Sequence, residues 1–97
     1  MSFSATSLNG VAIRLTDERW RHIRERHPEI TDYDEILQNI QSPDLVQEGE
    51  FGAYLDVRRL DRKYLVVIYR EVVNKGGFVI TAYESDRLRR RPVIWSR

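Results

Sequence analysis

At 97 residues, 41% apolar and 32% charged, the chain is long enough for one small domain, too apolar for a disordered tail and too charged for a bilayer. It has no cysteine, which excludes disulfides, thiolate metal sites and cysteine nucleophiles. The net charge of +1 conceals two unlike halves: residues 1–50 set five Arg against ten Asp/Glu, a balance of −5, and residues 51–97 set eleven Lys/Arg against five Asp/Glu, a balance of +6.

The longest apolar run is the six residues Tyr64 to Tyr69, far short of a bilayer span, so no membrane partner is expected. No basic-then-apolar leader is visible either, and the expected compartment is the cytoplasm. Fourteen of the sixteen cations are arginine, whose planar fork suits phosphate or carboxylate. An acidic half and an arginine-rich half point to an anionic partner on one side of the fold, or to surface charge that serves solubility.

The first element is a short strand over Val11 to Leu15. Thr16 then supplies an N-cap and Asp17 and Glu18 favour the positive end of a helix dipole, while Leu15 and Trp20 stand at the two positions of a hydrophobic staple. Pro28 limits this helix to about residues 17–27, because the residue before proline avoids the α region. Asp32 and Glu35 fit a capping box, and Tyr33, Ile36, Leu37 and Ile40 line one face of a second helix that Ser42-Pro43 ends.

From Asp44 the period changes to that of strands, over Leu45–Gln47, Ala53–Arg59, Tyr64–Glu71 and Gly77–Glu84. Gly49-Glu50-Phe51-Gly52, Asp61-Arg62 and Asn74-Lys75-Gly76-Gly77 are the turns between them, and connections this short force antiparallel neighbours. Residues 1–97 therefore read as a single α+β domain. Two N-terminal helices pack on one face of a roughly four-stranded antiparallel sheet. Asp86 to Arg97 begins as an irregular basic segment, with Val93-Ile94-Trp95 returning to pack or pair. Alternation groups Phe78, Ile80 and Ala82 as core against Val79, Thr81 and Tyr83. It also groups Leu55 and Val57 as core, against a polar face holding Asp56 and Arg58; a register shift would exchange Arg58 for Arg59.

Both histidines lie in the decapeptide Arg21 to Ile30. Imidazole is the side chain best suited to moving protons near neutral pH. Five residues apart, His22 and His27 diverge by about 140° on a helix, which argues against a paired metal site; no metal or cofactor is expected. A packing or surface role stands beside the catalytic one for each, and Glu29 is placed to orient His27. The segment Asp86 to Arg91, with Arg87, Arg89, Arg90 and Arg91, is the densest cationic stretch, suited to phosphates or to a solvated tail.

The order of these features is more specific than any one of them. Leu15-Thr16-x-x-Arg19-Trp20-x-His22-Ile23-x-x-Arg26-His27-Pro28-Glu29 is followed by Ser42-Pro43-Asp44, then Leu65-Val66-Val67-Ile68-Tyr69, then Ile80-Thr81-Ala82-Tyr83. Over roughly residues 11–84 this resembles the barnase/EndoU/colicin/RelE-like nuclease superfamily, especially its small phage-associated members and the BrnT branch of RelE-like toxins. There a basic residue and a histidine end an early helix, a strand supplies an arginine, and the last strand reads Ile-Ser-Ala-Arg. Here that final arginine is Tyr83, and the lysine before the helix-end histidine is Arg26.

The resemblance implies a metal-independent endoribonuclease, the toxin of a toxin–antitoxin pair, cleaving RNA by attack of a ribose 2′-hydroxyl to leave a cyclic phosphate. It assigns proton transfer to His27, with His22 as second candidate. It assigns phosphate clamping to Arg58, with Arg59 as substitute and Arg26 in support, and hydrogen bonding to Thr81 and Tyr83. RNA and a cognate antitoxin are the implied partners. Two alternatives remain open: a non-catalytic RNA- or protein-binding module, and a dimeric assembly domain on the same fold.

Overall fold

Seven strands and two α-helices account for the regular structure in the computed structural model, which describes residues 2–72 and 74–97. Strand β1 (Ser2–Thr6) forms an antiparallel hairpin with β2 (Ala12–Thr16), closed by Gly10 at a φ of 79°. Helix α1 (Asp17–Arg26) follows at once: the Thr16 hydroxyl accepts the Arg19 N–H, and Leu15 and Trp20 join one core cluster, as the cap and staple predict. Helix α2 (Tyr33–Gln41) opens on the Asp32/Glu35 capping box, with both reciprocal bonds formed, and ends at Ser42. Strands β3 (Leu45–Glu48), β4 (Ala53–Arg59), β5 (Tyr64–Val72) and β6 (Gly76–Ser85) form the antiparallel meander, and β7 (Val93–Ser96) closes the chain.

The sheet is larger than the four strands expected and is mixed, in the order β1-β2-β6-β5-β4-β3-β7. Its one parallel pairing, β2 with β6, covers only Ile13↔Gly77 and Arg14↔Phe78. A side chain at Gly77 would collide with the Arg70 carbonyl and the Ile13 side chain, so the strand join needs glycine there. Beyond that join β2 turns into α1, which packs against the rest of β6.

Both helices bury the same sheet face. Ile23, Ile30, Ile36 and Ile40 pack on Ile13, Leu15, Leu65, Val67, Tyr69, Val79 and Ala82. Asn39, fully buried on α2, donates from Nδ2 to the carbonyls of Asp56 and Leu65, both at 3.0 Å, tying the helix to β4 and β5. Asn39→Leu removes both bonds and leaves two buried carbonyls short of a donor. It should cost about 2–4 kcal/mol, read as a lower urea midpoint with unchanged m-value.

The second sheet face has its own smaller core, Leu45, Leu55, Val57 and Val66, with Tyr64, Ile68, Tyr83 and Leu88 packed against it. The chain from β6 must cross this face, because β7 pairs with β3 at the far side of the sheet. The Ser85 hydroxyl starts the crossing by donating to the Arg87 carbonyl while accepting the Arg87 N–H. Gln47 Nε2 then holds the Arg89 carbonyl at 2.9 Å, and the Glu48 N–H holds that of Pro92. The basic segment is thus strapped over the sheet.

Two expectations about faces are overturned. A register shift between Ile68 and Tyr69 lets β6 carry one extra residue, so Val79 and Ala82 are core and Phe78 is exposed. In β4 both faces are covered, so alternation identifies no polar side: Asp56 is fully buried and Arg58 lies on the helix side.

Candidate functional site

His27 is the C-cap of α1. Its N–H still bonds the Ile23 carbonyl, but its φ of −133° and ψ of 68° are not helical, and Pro28 prevents another turn. Leaving the helix turns the ring away from the direction expected at 100° per residue. His22 and His27, about 140° apart on a regular helix, line one hollow of about 500 Å³ with Arg19, Arg26 and Thr81.

The same ring borders a second hollow, of about 420 Å³, on the sheet face away from the helices. Its floor is Leu55 and Ile68, and around them stand Tyr83, Glu84, Ser85, Arg87, Arg89 and Arg91. The ring centroids of His27 and Tyr83 are 6.0 Å apart. The alternate arginines of the strapped segment reach this hollow, while Leu88 packs on the sheet and Arg90 is exposed.

Glu29 stands beside the imidazole without a hydrogen bond to it. Its Oε2 lies 3.5 Å from His27 Nδ1 and also accepts the Glu84 N–H at 3.3 Å, pinning the end of α1 to β6. With Nδ1 turned to a carboxylate, Nε2 is the nitrogen left to exchange a proton with a ligand. Glu84 is itself occupied by Lys63, at 3.1 Å.

The cations around His27 are largely unneutralised. Among the described residues, Arg19, Arg26, Arg87 and Arg89 form no ion pair, and Arg91 reaches Glu50 only at 4.0 Å, with its Nε buried and unpartnered. Unpaired guanidinium groups around concave walls concentrate positive potential where an anion would sit.

Arg58 does not belong to this group. Its Nη1 donates to Gln38 Oε1 at 3.4 Å beside α2, so the clamp expected from that residue is corrected: the intervening sheet separates it from the hollow of Tyr83 and Arg89. Arg59 lies on the correct face by alternation but at the far end of β4, where its N–H bonds Asp44, and it lines neither hollow. Arg70 shares that sheet face, partly buried and opposite Ala53 and Phe78 with an unpartnered Nε, and it too lines neither hollow. Its signal was present in the sequence as the cation ending the longest apolar run.

A third feature lies elsewhere, under the helix-side face. Asp56 has neither carboxyl oxygen in a hydrogen bond of good geometry, and burial raises its pKa from 3.8 to about 8; the neighbouring Tyr69 hydroxyl offsets part of that and Glu71 adds to it. Burial beside Asp56 also raises the pKa of Tyr69. Among the described residues, no group of three His, Cys, Asp or Glu is placed to hold a metal ion.

Compared with protein-family models, curated proteins and solved structures, the chain gives no match.

Proposed function

We propose that this protein is a metal-independent endoribonuclease whose centre is the hollow joining His27, Tyr83, Arg87, Arg89 and Arg91. The observation that carries the reading is the His27 imidazole, with Glu29 at 3.5 Å, lining one open hollow with Arg87, Arg89 and Arg91. The resemblance of the Arg26-His27 and Ile80-Thr81-Ala82-Tyr83 segments to the barnase/EndoU/colicin/RelE-like superfamily agrees with it.

Cleavage by 2′-hydroxyl attack needs a base for the attacking oxygen, an acid for the leaving 5′-oxygen, and positive charge for the phosphoryl oxygens. His27 Nε2 takes the 2′-proton as the 2′-oxygen bonds to phosphorus. The P–O5′ bond breaks, and the 5′-oxygen receives a proton from the protonated imidazole or the Tyr83 hydroxyl. Arg87, Arg89 and Arg91 stabilise the growing negative charge. A protein that masks this arginine-rich surface with acidic groups is the matching antitoxin.

The test is end-group analysis of single-stranded RNA incubated with the purified chain in chelator. The expected products carry 2′,3′-cyclic phosphate and 5′-hydroxyl ends, and a 2′-deoxy substitution at the cleaved position blocks the reaction. Intact RNA that is nonetheless bound overturns catalysis in favour of a binding module. The free edge strand β7, with Val93, Ile94 and Trp95 exposed, supports the other reading, assembly by strand addition. Intact, unbound RNA together with a dimer in sedimentation would establish that one.

A further inference from the structure

His27 lines both hollows, with Arg19 and Arg26 on the α1 side and Arg87 and Arg89 on the strap side. All four arginines are without a carboxylate partner among the described residues. A nuclease that needed only the scissile phosphate would have no use for a second unpaired cationic hollow beyond its imidazole. We propose that the α1 hollow is a second phosphate subsite, with Arg19 and Arg26 holding a phosphate adjacent to the scissile one. The substrate is then an unpaired RNA strand of several nucleotides that crosses the seam between α1 and β6 over His27. The inference rests on the RNA reading of the strap-side hollow and adds the path and minimum length of the strand.

Shape favours an unpaired strand. Each hollow, of 420–500 Å³, has room for a nucleotide rather than for a paired helix. Thr81 lines the α1 hollow and Tyr83 the other, so consecutive outward positions of β6 supply one hydroxyl to each. Unpaired strands are held by backbone cations with aromatic rings for stacking, and the Tyr83 ring beside His27 provides such a surface.

The experiment is fluorescence anisotropy with 2′-O-methyl oligonucleotides, which bind but cannot be cleaved, in lengths from two to eight nucleotides and over a salt series. Wild-type affinity should rise with length beyond the dinucleotide. The Arg19→Ala/Arg26→Ala protein should bind the dinucleotide normally and lose the gain from length. Each phosphate contact on a single strand contributes about 0.7 to the log–log salt slope, so losing one or two contacts lowers it by about 0.7–1.4. Arg21→Ala/Arg62→Ala, which removes equal charge from exposed positions outside both hollows, should change neither quantity.

Unchanged length dependence and slope in Arg19→Ala/Arg26→Ala, while Arg87→Ala/Arg89→Ala loses affinity at every length, would overturn the second subsite and leave the RNA reading standing. Equal losses in the Arg21→Ala/Arg62→Ala control would overturn it too, by showing a general charge effect. Absence of wild-type binding at any length would remove both. Because Arg19 and Arg26 are exposed on α1, thermal unfolding of the variant should match that of the wild type.

Discussion

Asp56→Asn should cost about 1–2 kcal/mol near pH 4, where only the added amide donors count, and become progressively stabilising toward pH 8. Well below its ordinary value of 3.8 the carboxyl is neutral in folded and unfolded chains alike, so its burial carries no ionisation cost. Between its ordinary value of 3.8 and its folded value of about 8, the unfolded chain releases the proton and the folded chain keeps it. Folding must then take up a proton, and stability falls as pH rises through that window, levelling off above about 8. One pKa unit corresponds to about 1.4 kcal/mol, so the cost at pH 7 is on the order of 4 kcal/mol, a large part of a small domain's total. Asparagine has the same shape and no charge to lose, but its amide must find an acceptor, for which the Tyr69 hydroxyl is the nearest group. A net gain of about 2–3 kcal/mol at pH 7 is expected. Urea unfolding of both proteins at pH 4.5, 6 and 8 tests this, and curves separated by a constant amount at all three would show that Asp56 does not hold its proton on folding.

Asp56 also marks where period-2 reading of the sequence stops working. Alternation assigns a strand one wet face and one dry face, but β4 sits mid-sheet with α2 over one side and the strapped segment over the other. A carboxylate in that pattern looks solvent-facing, and so does Arg58 two residues on. What was legible was local: the Thr16 cap, the Asp32/Glu35 box, the Pro28 and Pro43 stops, and the turns of the meander each act within a few residues. What was not legible depends on distant partners. Strand β1 is the polar-looking Ser2-Phe3-Ser4-Ala5-Thr6, ordered by its hairpin with β2 and by Phe3 stacking on Tyr33 at 3.9 Å. The parallel join of β2 to β6 spans about 64 residues of sequence and leaves only Gly77 as its mark. The extra residue in β6 has no sequence signature, yet it decides which of Val79 and Ile80 faces the helices.

The site divides in the same way. His27 and its proline stop were visible because helix termination is local, and the Asp86–Arg91 cations were visible as a run. That three of the run's four arginines, Arg87, Arg89 and Arg91, line a hollow with His27 follows from β7 pairing with β3, which turns a tail into a strap across the sheet. Arg70 closes an apolar run that reads as core, and by alternation it shares the face of Val66 and Ile68 without lining either hollow.

His27→Ala should lower the rate of RNA cleavage by roughly 10²–10⁴, the range for removing a positioned acid or base, equivalent to about 3–5 kcal/mol in the barrier. Oligonucleotide affinity should change little, since the arginines that supply binding remain. Glu29→Gln separates positioning from chemistry. The glutamine oxygen can still accept the Glu84 N–H, so the tie between the α1 end and β6 survives, while the negative charge facing His27 Nδ1 is gone. Its effect should fall on kcat with KM unchanged, and be smaller than that of His27→Ala because the contact is 3.5 Å long and one-third exposed. Arg89→Ala should show the opposite division, a raised KM together with a shallower salt dependence. Single-turnover kinetics on a defined RNA distinguish these cases. Cleavage by His27→Ala at the wild-type rate, with its unfolding midpoint intact, would mean that this imidazole transfers no proton. The centre would then have to be sought among the remaining groups of the two hollows, His22 first.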